Sequence, residues 1–162
     1  MTELKTSELS AKARRFQAIL DRYAPGSDVV EFVEPARTAR QAADAIGCEL
    51  DQIVKSLVFR TGDDRCVLVL TAGGNRVDEL VIGEQIGGAV SMGDAAFVRA
   101  HTGYAIGGVP PFGHPEPIET LIDEDLFAFG EIWAASGTPN TVFPVQPDRL
   151  LAITGGRRTR VS

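Results

Sequence analysis

Apolar residues recur at three- and four-residue spacing over Leu9, Ala13, Phe16, Ile19, Leu20 and Tyr23, and the pattern stops at Pro25-Gly26. This predicts an amphipathic helix over residues 8–23. Val29 to Val33 reads as a short strand; Thr38-Ala-Arg-Gln41 matches a capping box, and Gly47 supplies the stop of a second helix. Two apolar runs, Ile53–Arg60 and Arg65–Thr71, flank Thr61-Gly-Asp-Asp64 and predict a hairpin. Helical spacing returns over Arg76–Ile86 despite Gly83, and again over Ala95–His101, which Asp94 can cap and Gly103 can end. Strands are then predicted at Pro117–Asp123, Glu131–Ala135 and Thr141–Val145, with a turn or short helix at Glu124–Phe129. Pro147 opens a last helix that Gly155-Gly156 closes, leaving Arg157, Arg158 and Arg160 in a basic tail expected to be frayed and solvated. Clustered strands with short connections and helices at the ends predict an α+β fold with a mixed sheet. No G-x-G-x-x-G or Walker loop is present to support a doubly wound alternative.

Two features break the ordinary patterning. Strand alternation puts Lys55 in one row with Ile53, Leu57 and Phe59. A lysine there must snorkel to the rim, pair with a carboxylate, or point into a pocket that binds an anion. The second feature is Gly103-Tyr-Ala-Ile-Gly-Gly-Val-Pro-Pro-Phe-Gly113, with four glycines and two prolines in eleven residues. Such a loop is stiff and exposes peptide groups. It is either a tight packed turn or a cradle that holds an anion or carbonyl oxygen through the backbone.

Composition narrows the possibilities. At 162 residues with 44% hydrophobic and 23% charged residues, the sequence fits one soluble globular domain over 1–162. No apolar run approaches the length of a membrane span and no secretory signal opens the chain, so a cytoplasmic protein without membrane partners is expected. Cys48 and Cys66 lack C-x-x-C spacing, and His101 and His114 are the only imidazoles, which is poor material for a metal site. Neither a metal nor another cofactor is expected. A net charge of −6 argues against gripping a long duplex, while leaving room for a few cations that hold the end of a nucleic acid.

Taken together, a lysine early in a strand (Ile53-Val-Lys-Ser-Leu-Val-Phe), the Gly107-Gly-Val-Pro-Pro111 loop, Leu121-Ile-Asp123 closing a strand, and Ala135-Ser-Gly-Thr-Pro-Asn followed by Pro147-x-x-Leu-Leu resemble the YbaK/EbsC family. That family includes the editing domain of bacterial prolyl-tRNA synthetases, and the resemblance covers roughly residues 28–156. It implies a mixed, partly barrel-like sheet with flanking helices, and trans-acting hydrolysis of a wrong amino acid from the 3′ end of tRNA. It further implies that Lys55 contacts the phosphate or ribose of the terminal adenosine. The backbone of Gly107, Gly108 and Pro111 would hold the ester and position a water, and Asp123 with Ser136, Gly137 and Asn140 would line the amino-acid pocket. An aminoacyl-tRNA synthetase is an open candidate partner.

This sequence also departs from the family pattern. Asn140 stands where a Gly-Thr-Pro-His pattern has histidine, and Pro110 stands where relatives specific for cysteine carry serine. A small amino acid such as alanine, serine, threonine or cysteine is the expected substrate. Two alternatives remain: a non-catalytic module that binds a nucleotide or tRNA end, and a hydrolase of another small ester. Asp123 reads equally as a helix cap for Glu124 onward.

Overall fold

The structure, a computed structural model, describes residues 3–5 and 8–162. Helix α1 (Ala11–Tyr23) starts where the Ser10 hydroxyl accepts the Ala13 amide, and it buries Ala13, Phe16 and Leu20. After the short strand β1 (Val30–Glu31), helix α2 (Ala39–Ile46) is capped as the sequence predicts: Thr38 Oγ1 accepts from the Gln41 amide, and Gly47 ends the helix at φ 85°. Strands β2 (Val54–Thr61) and β3 (Cys66–Ala72) form the expected hairpin. Helix α3 (Glu79–Ile86), strand β4 (Val90–Met92) and helix α4 (Ala95–Thr102) lead to the glycine-rich loop. Strand β5 (Glu119–Asp123), a 3₁₀ turn (Glu124–Ala128), strands β6 (Ile132–Ala135) and β7 (Thr141–Val145), helix α5 (Pro147–Thr154) and strand β8 (Arg157–Thr159) complete the order.

Five strands form a mixed sheet in the order β4-β2-β3-β5-β8, antiparallel about β2 and parallel where β5 joins β3 and β8. Three more form an antiparallel sheet, β1-β7-β6. A single bridge between Ile53 and Trp133 brings the start of β2 against β6, so the two sheets curve toward one another without closing a barrel. The largest core cluster joins Val58, Leu68, Leu70 and Ile122 of the larger sheet to Ile132, Phe143 and the α1 side chains Phe16 and Leu20. The opposite face of β3 packs Val67 and Val69 with Phe59, Ile82 and Leu121. Apolar cover on both faces explains why β3 reads as an unbroken hydrophobic run.

Two features depart from the sequence expectation. Strand β4 is an edge strand of three residues, too short to leave an alternation. The basic tail is not solvated: Arg157–Thr159 pairs with β5, Val161 is 1% exposed, and its carbonyl accepts the Asp78 amide at 2.9 Å. The tail covers what would otherwise be an open edge of β5. Its arginines lie along the surface, with the Arg158 guanidinium 4.2 Å from the centre of the Phe127 ring.

Candidate functional site

Because β4 pairs only with Phe59–Thr61, the same edge of β2 at residues 55–57 has no strand neighbour among the described residues. The glycine-rich loop and the turn after β6 face this edge across a cavity of about 360 Å³. Lys55, Ser56 and Leu57 form one wall, Gly107 and Val109 another, and Phe32, Trp133 and Thr138 much of the remainder. The α2 N-terminus adds Arg37 and Thr38. Helix-terminal amides and the Arg37 guanidinium, on the same cavity as Lys55, make it attractive to an anion.

Lys55 is half-buried and makes no ion pair among the described residues; its Nζ donates to the Asn75 carbonyl at 2.6 Å. Burial pushes its pKa down, opposed by the negative charges of Asp51 and Asp123. An ammonium desolvated but not neutralised gains by meeting an anion. The hydrogen bond to Asn75 is itself braced, because Asn75 Nδ2 donates to Asp123 Oδ2 at 2.9 Å and to Asp125 Oδ2 at 2.7 Å.

Asp123 is 2% exposed and does not line the cavity. Its Oδ2 also accepts from Thr71 Oγ1 and the Ala72 amide, and Oδ1 caps the 3₁₀ turn through the Asp125 amide. The carboxylate is thus saturated by protein donors and reaches Lys55 through Asn75. Asn140 has a comparable place: its Nδ2 donates to the Phe32 carbonyl and its Oδ1 accepts from Thr138 Oγ1. It fixes two lining residues without lining the cavity itself. Pro111 is buried behind the loop.

The two loops touch at Gly108 and Gly137. The Gly137 amide donates to the Gly108 carbonyl at 2.9 Å, and a Cβ at Gly108 would lie 2.9 Å from Thr138 Cα and 3.0 Å from the Gly137 carbonyl group. Only glycine permits this approach. The Gly108 amide is committed to the Ala105 carbonyl, whereas the amides of Gly107 and Val109 have no protein acceptor among the described residues. Ser136 and Gly137 line a second cavity behind this contact, not the one containing Lys55.

Sequence reasoning missed Asn75, Phe32, Arg37, Ser56 and Trp133. Nothing local to Gly73-Gly74-Asn75 indicates that the Asn75 carbonyl meets Lys55. The Ser56 hydroxyl is buried in the cavity wall without a partner among the described residues, and alternation alone cannot distinguish that from a packed serine. The cysteines stand apart: burial pushes the Cys66 thiol up to about 11 and raises that of Cys48, so both are protonated and weakly nucleophilic at neutral pH. His114 donates Nε2–H to the Pro110 carbonyl at 2.7 Å, and burial lowers its pKa against that bond.

Comparison with known proteins identifies the family and the fold. A Bacillus subtilis (strain 168) protein, YwhH, described as uncharacterised, is 35% identical over 124 residues, covering 76% of this chain and 79% of its own. A crystal structure described as a candidate trans-editing enzyme for prolyl tRNA synthetase is 44% identical with a TM-score of 0.88, covering 96% of this chain and 99% of that one. A solved structure from work on epitope backbone grafting onto scaffold proteins is 42% identical, also with a TM-score of 0.88, covering 95% and 98%. The model of the aminoacyl-tRNA editing domain matches residues 33–153, a span that runs from beside Phe32 through Lys55 and both loops to α5. With that model matching most of its length and a structural relative at 44% identity, the chain belongs to the YbaK-like aminoacyl-tRNA editing domains.

Proposed function

We propose that the protein acts in trans on tRNA carrying a wrong small amino acid and hydrolyses the 3′ ester in the Lys55 cavity. The observation that carries this reading is Lys55 itself, a partly desolvated ammonium with a single carbonyl partner at the mouth of a cavity. The terminal adenosine phosphate or ribose meets Lys55 and Arg37, and the aminoacyl group enters between Phe32, Ser56 and Trp133. About 360 Å³ shared with the sugar leaves room for a small side chain such as that of alanine, serine, threonine or cysteine.

Water attacks the ester carbonyl, forming a new C–O bond. The electron pair of the carbonyl moves onto oxygen, where the unpaired amides of Gly107 and Val109 are candidates to stabilise it. Collapse breaks the bond to the ribose oxygen, which takes the proton lost by the water, releasing free amino acid and tRNA with a 3′-hydroxyl. Among the described residues, no histidine or carboxylate lines the cavity. The ester is already activated, so positioning and oxyanion stabilisation supply the rate. Gly108 contributes by permitting the loop contact, while Asp123 and Asn140 position Lys55 and Phe32.

Replacing Lys55 by alanine tests this role. Loss of deacylation at unchanged thermal stability supports it, and undiminished turnover refutes it. Tight binding of charged tRNA by the wild type with no ester loss would identify a non-catalytic binding module instead.

A further inference from the structure

Behind the Gly108–Gly137 contact lies a second, larger cavity of about 620 Å³. It shares Thr138 and Pro139 with the Lys55 cavity, so the two are separated by the thickness of one turn of backbone. Lys12 and Arg15 from α1 and Arg99 from α4 stand on its rim. None of the three has a hydrogen-bond or ion-pair partner for its side chain among the described residues, and no carboxylate lines the cavity.

The walls between these cations are largely apolar, with Phe16, Ile19 and the half-buried Tyr104 ring. A second observation points to a ligand independently of the charge. Ser136 is fully buried and belongs to the lining, and its hydroxyl has no hydrogen-bond partner among the described residues. A buried hydroxyl left alone costs about 1–3 kcal/mol, which a ligand acceptor would recover. The His114 ring, with Nε2–H held by Pro110, leaves Nδ1 as a further acceptor at the wall.

Anionic groups at the rim with a flat apolar body between aromatic and aliphatic walls describe a nucleotide. We propose that this cavity holds the single-stranded nucleotides immediately preceding the terminal adenosine, with their phosphates on Lys12, Arg15 and Arg99 and a base against Tyr104. The assignment rests on the deacylase reading for its choice of nucleic acid, since Thr138 and Pro139 line both cavities and a chain ending in the Lys55 cavity can continue past them. The cavity is thus the second half of a bipartite site for the tRNA 3′ end. It explains how an acidic protein engages tRNA: through a few local cations instead of a broad basic face.

The test uses the full chain and a 5′-labelled RNA hexamer ending in CCA with a free 3′-hydroxyl, followed by fluorescence anisotropy across a salt series. Three phosphate contacts predict a slope of log K against log salt of about −2, and each cation removed lowers its magnitude by about 0.7. Arg15→Ala/Arg99→Ala is expected to weaken binding at least tenfold, and Ser136→Ala by a smaller factor, with melting temperatures unchanged for the exposed arginines. Unchanged affinity and slope in the double variant would overturn the proposal. So would mononucleotides, CMP or AMP, that bind as tightly as the hexamer, because the site would then serve free nucleotides.

Deacylation measured in parallel separates the two claims. The double variant is expected to raise KM for charged tRNA while leaving kcat, and turnover of 3′-aminoacyl-adenosine, unchanged. Hexamer binding that depends on Arg15 and Arg99 without any ester loss would refute the deacylase reading and leave this cavity standing. Deacylation that ignores both arginines, together with salt-insensitive hexamer binding, would do the reverse.

Discussion

Gly108→Ala puts the contact between the two loops under direct strain. The added Cβ would lie 2.9 Å from Thr138 Cα and 3.0 Å from the Gly137 carbonyl carbon and oxygen, where ordinary contacts begin at 3.4 Å. All three atoms are backbone, so no side chain can swing away. The loops must part by about 0.5 Å, which lengthens the 2.9 Å bond from the Gly137 amide to the Gly108 carbonyl. Overpacking of this kind costs about 1–3 kcal/mol. At about 2–4 °C per kcal/mol for a chain of this size, the melting temperature should fall by about 2–12 °C. Displacements of half an ångström to one ångström at a reacting centre cost about 10–100-fold, so kcat/KM for the charged tRNA should fall at least tenfold.

Two other glycines serve as comparisons. Gly107 has φ +93° with open space where its Cβ would sit, so Gly107→Ala carries backbone strain of about 1 kcal/mol without a clash. Gly130 has neither, and Gly130→Ala should be silent. Differential scanning fluorimetry and single-turnover deacylation check the series. If Gly108→Ala matches Gly130→Ala in both stability and rate, the loop contact does not support the site as argued.

Further expectations follow from single side chains. Asp123→Asn replaces an acceptor-only group by one that must donate from one end, disrupting a carboxylate that takes four hydrogen bonds; a loss of about 2–3 kcal/mol and a weakened response of activity to Lys55 are expected, measured by urea unfolding and kinetics. Val161→Ala should cost about 2 kcal/mol if the C-terminal strand is packed as described, whereas a solvated tail would lose nothing. Glu31 is buried, which raises its pKa, but hydrogen bonds from the Ser10 hydroxyl and amide and from Lys5 outweigh burial and leave it lowered overall. A lowered carboxylate binds fewer protons folded than unfolded, so its stabilisation is complete above the ordinary glutamate value of 4.5 and is lost as pH falls through the folded value. In Glu31→Gln that part of the acid dependence should disappear, as followed by thermal melts from pH 7 to pH 3.

Much of this fold was legible because its signals are local. Thr38, Asp94 and Gly47 cap and stop helices through neighbours within a few residues, and the β2 alternation was enough to single out Lys55 as a cation in an apolar row. What escaped depends on groups far apart in sequence. Nothing near Asn75 reveals that its carbonyl meets Lys55 while its amide meets Asp123, and nothing near Gly108 reveals the backbone of Gly137. The C-terminal strand was hidden by its charges: three arginines within four residues suggest solvent, yet β5 needed a neighbour and Val161 a core. Ser136 was recognised as a site residue but faces the second cavity, because a tight turn sends adjacent residues to opposite sides.

The most direct test of the central claim is deacylation of a panel of tRNAs charged with alanine, serine, threonine, cysteine and proline, with wild type and Lys55→Ala compared side by side. The structure predicts rapid loss of one or two small amino acids by the wild type, abolished in Lys55→Ala at unchanged melting temperature. Survival of every ester at high protein concentration, or equal turnover by the variant, would contradict it.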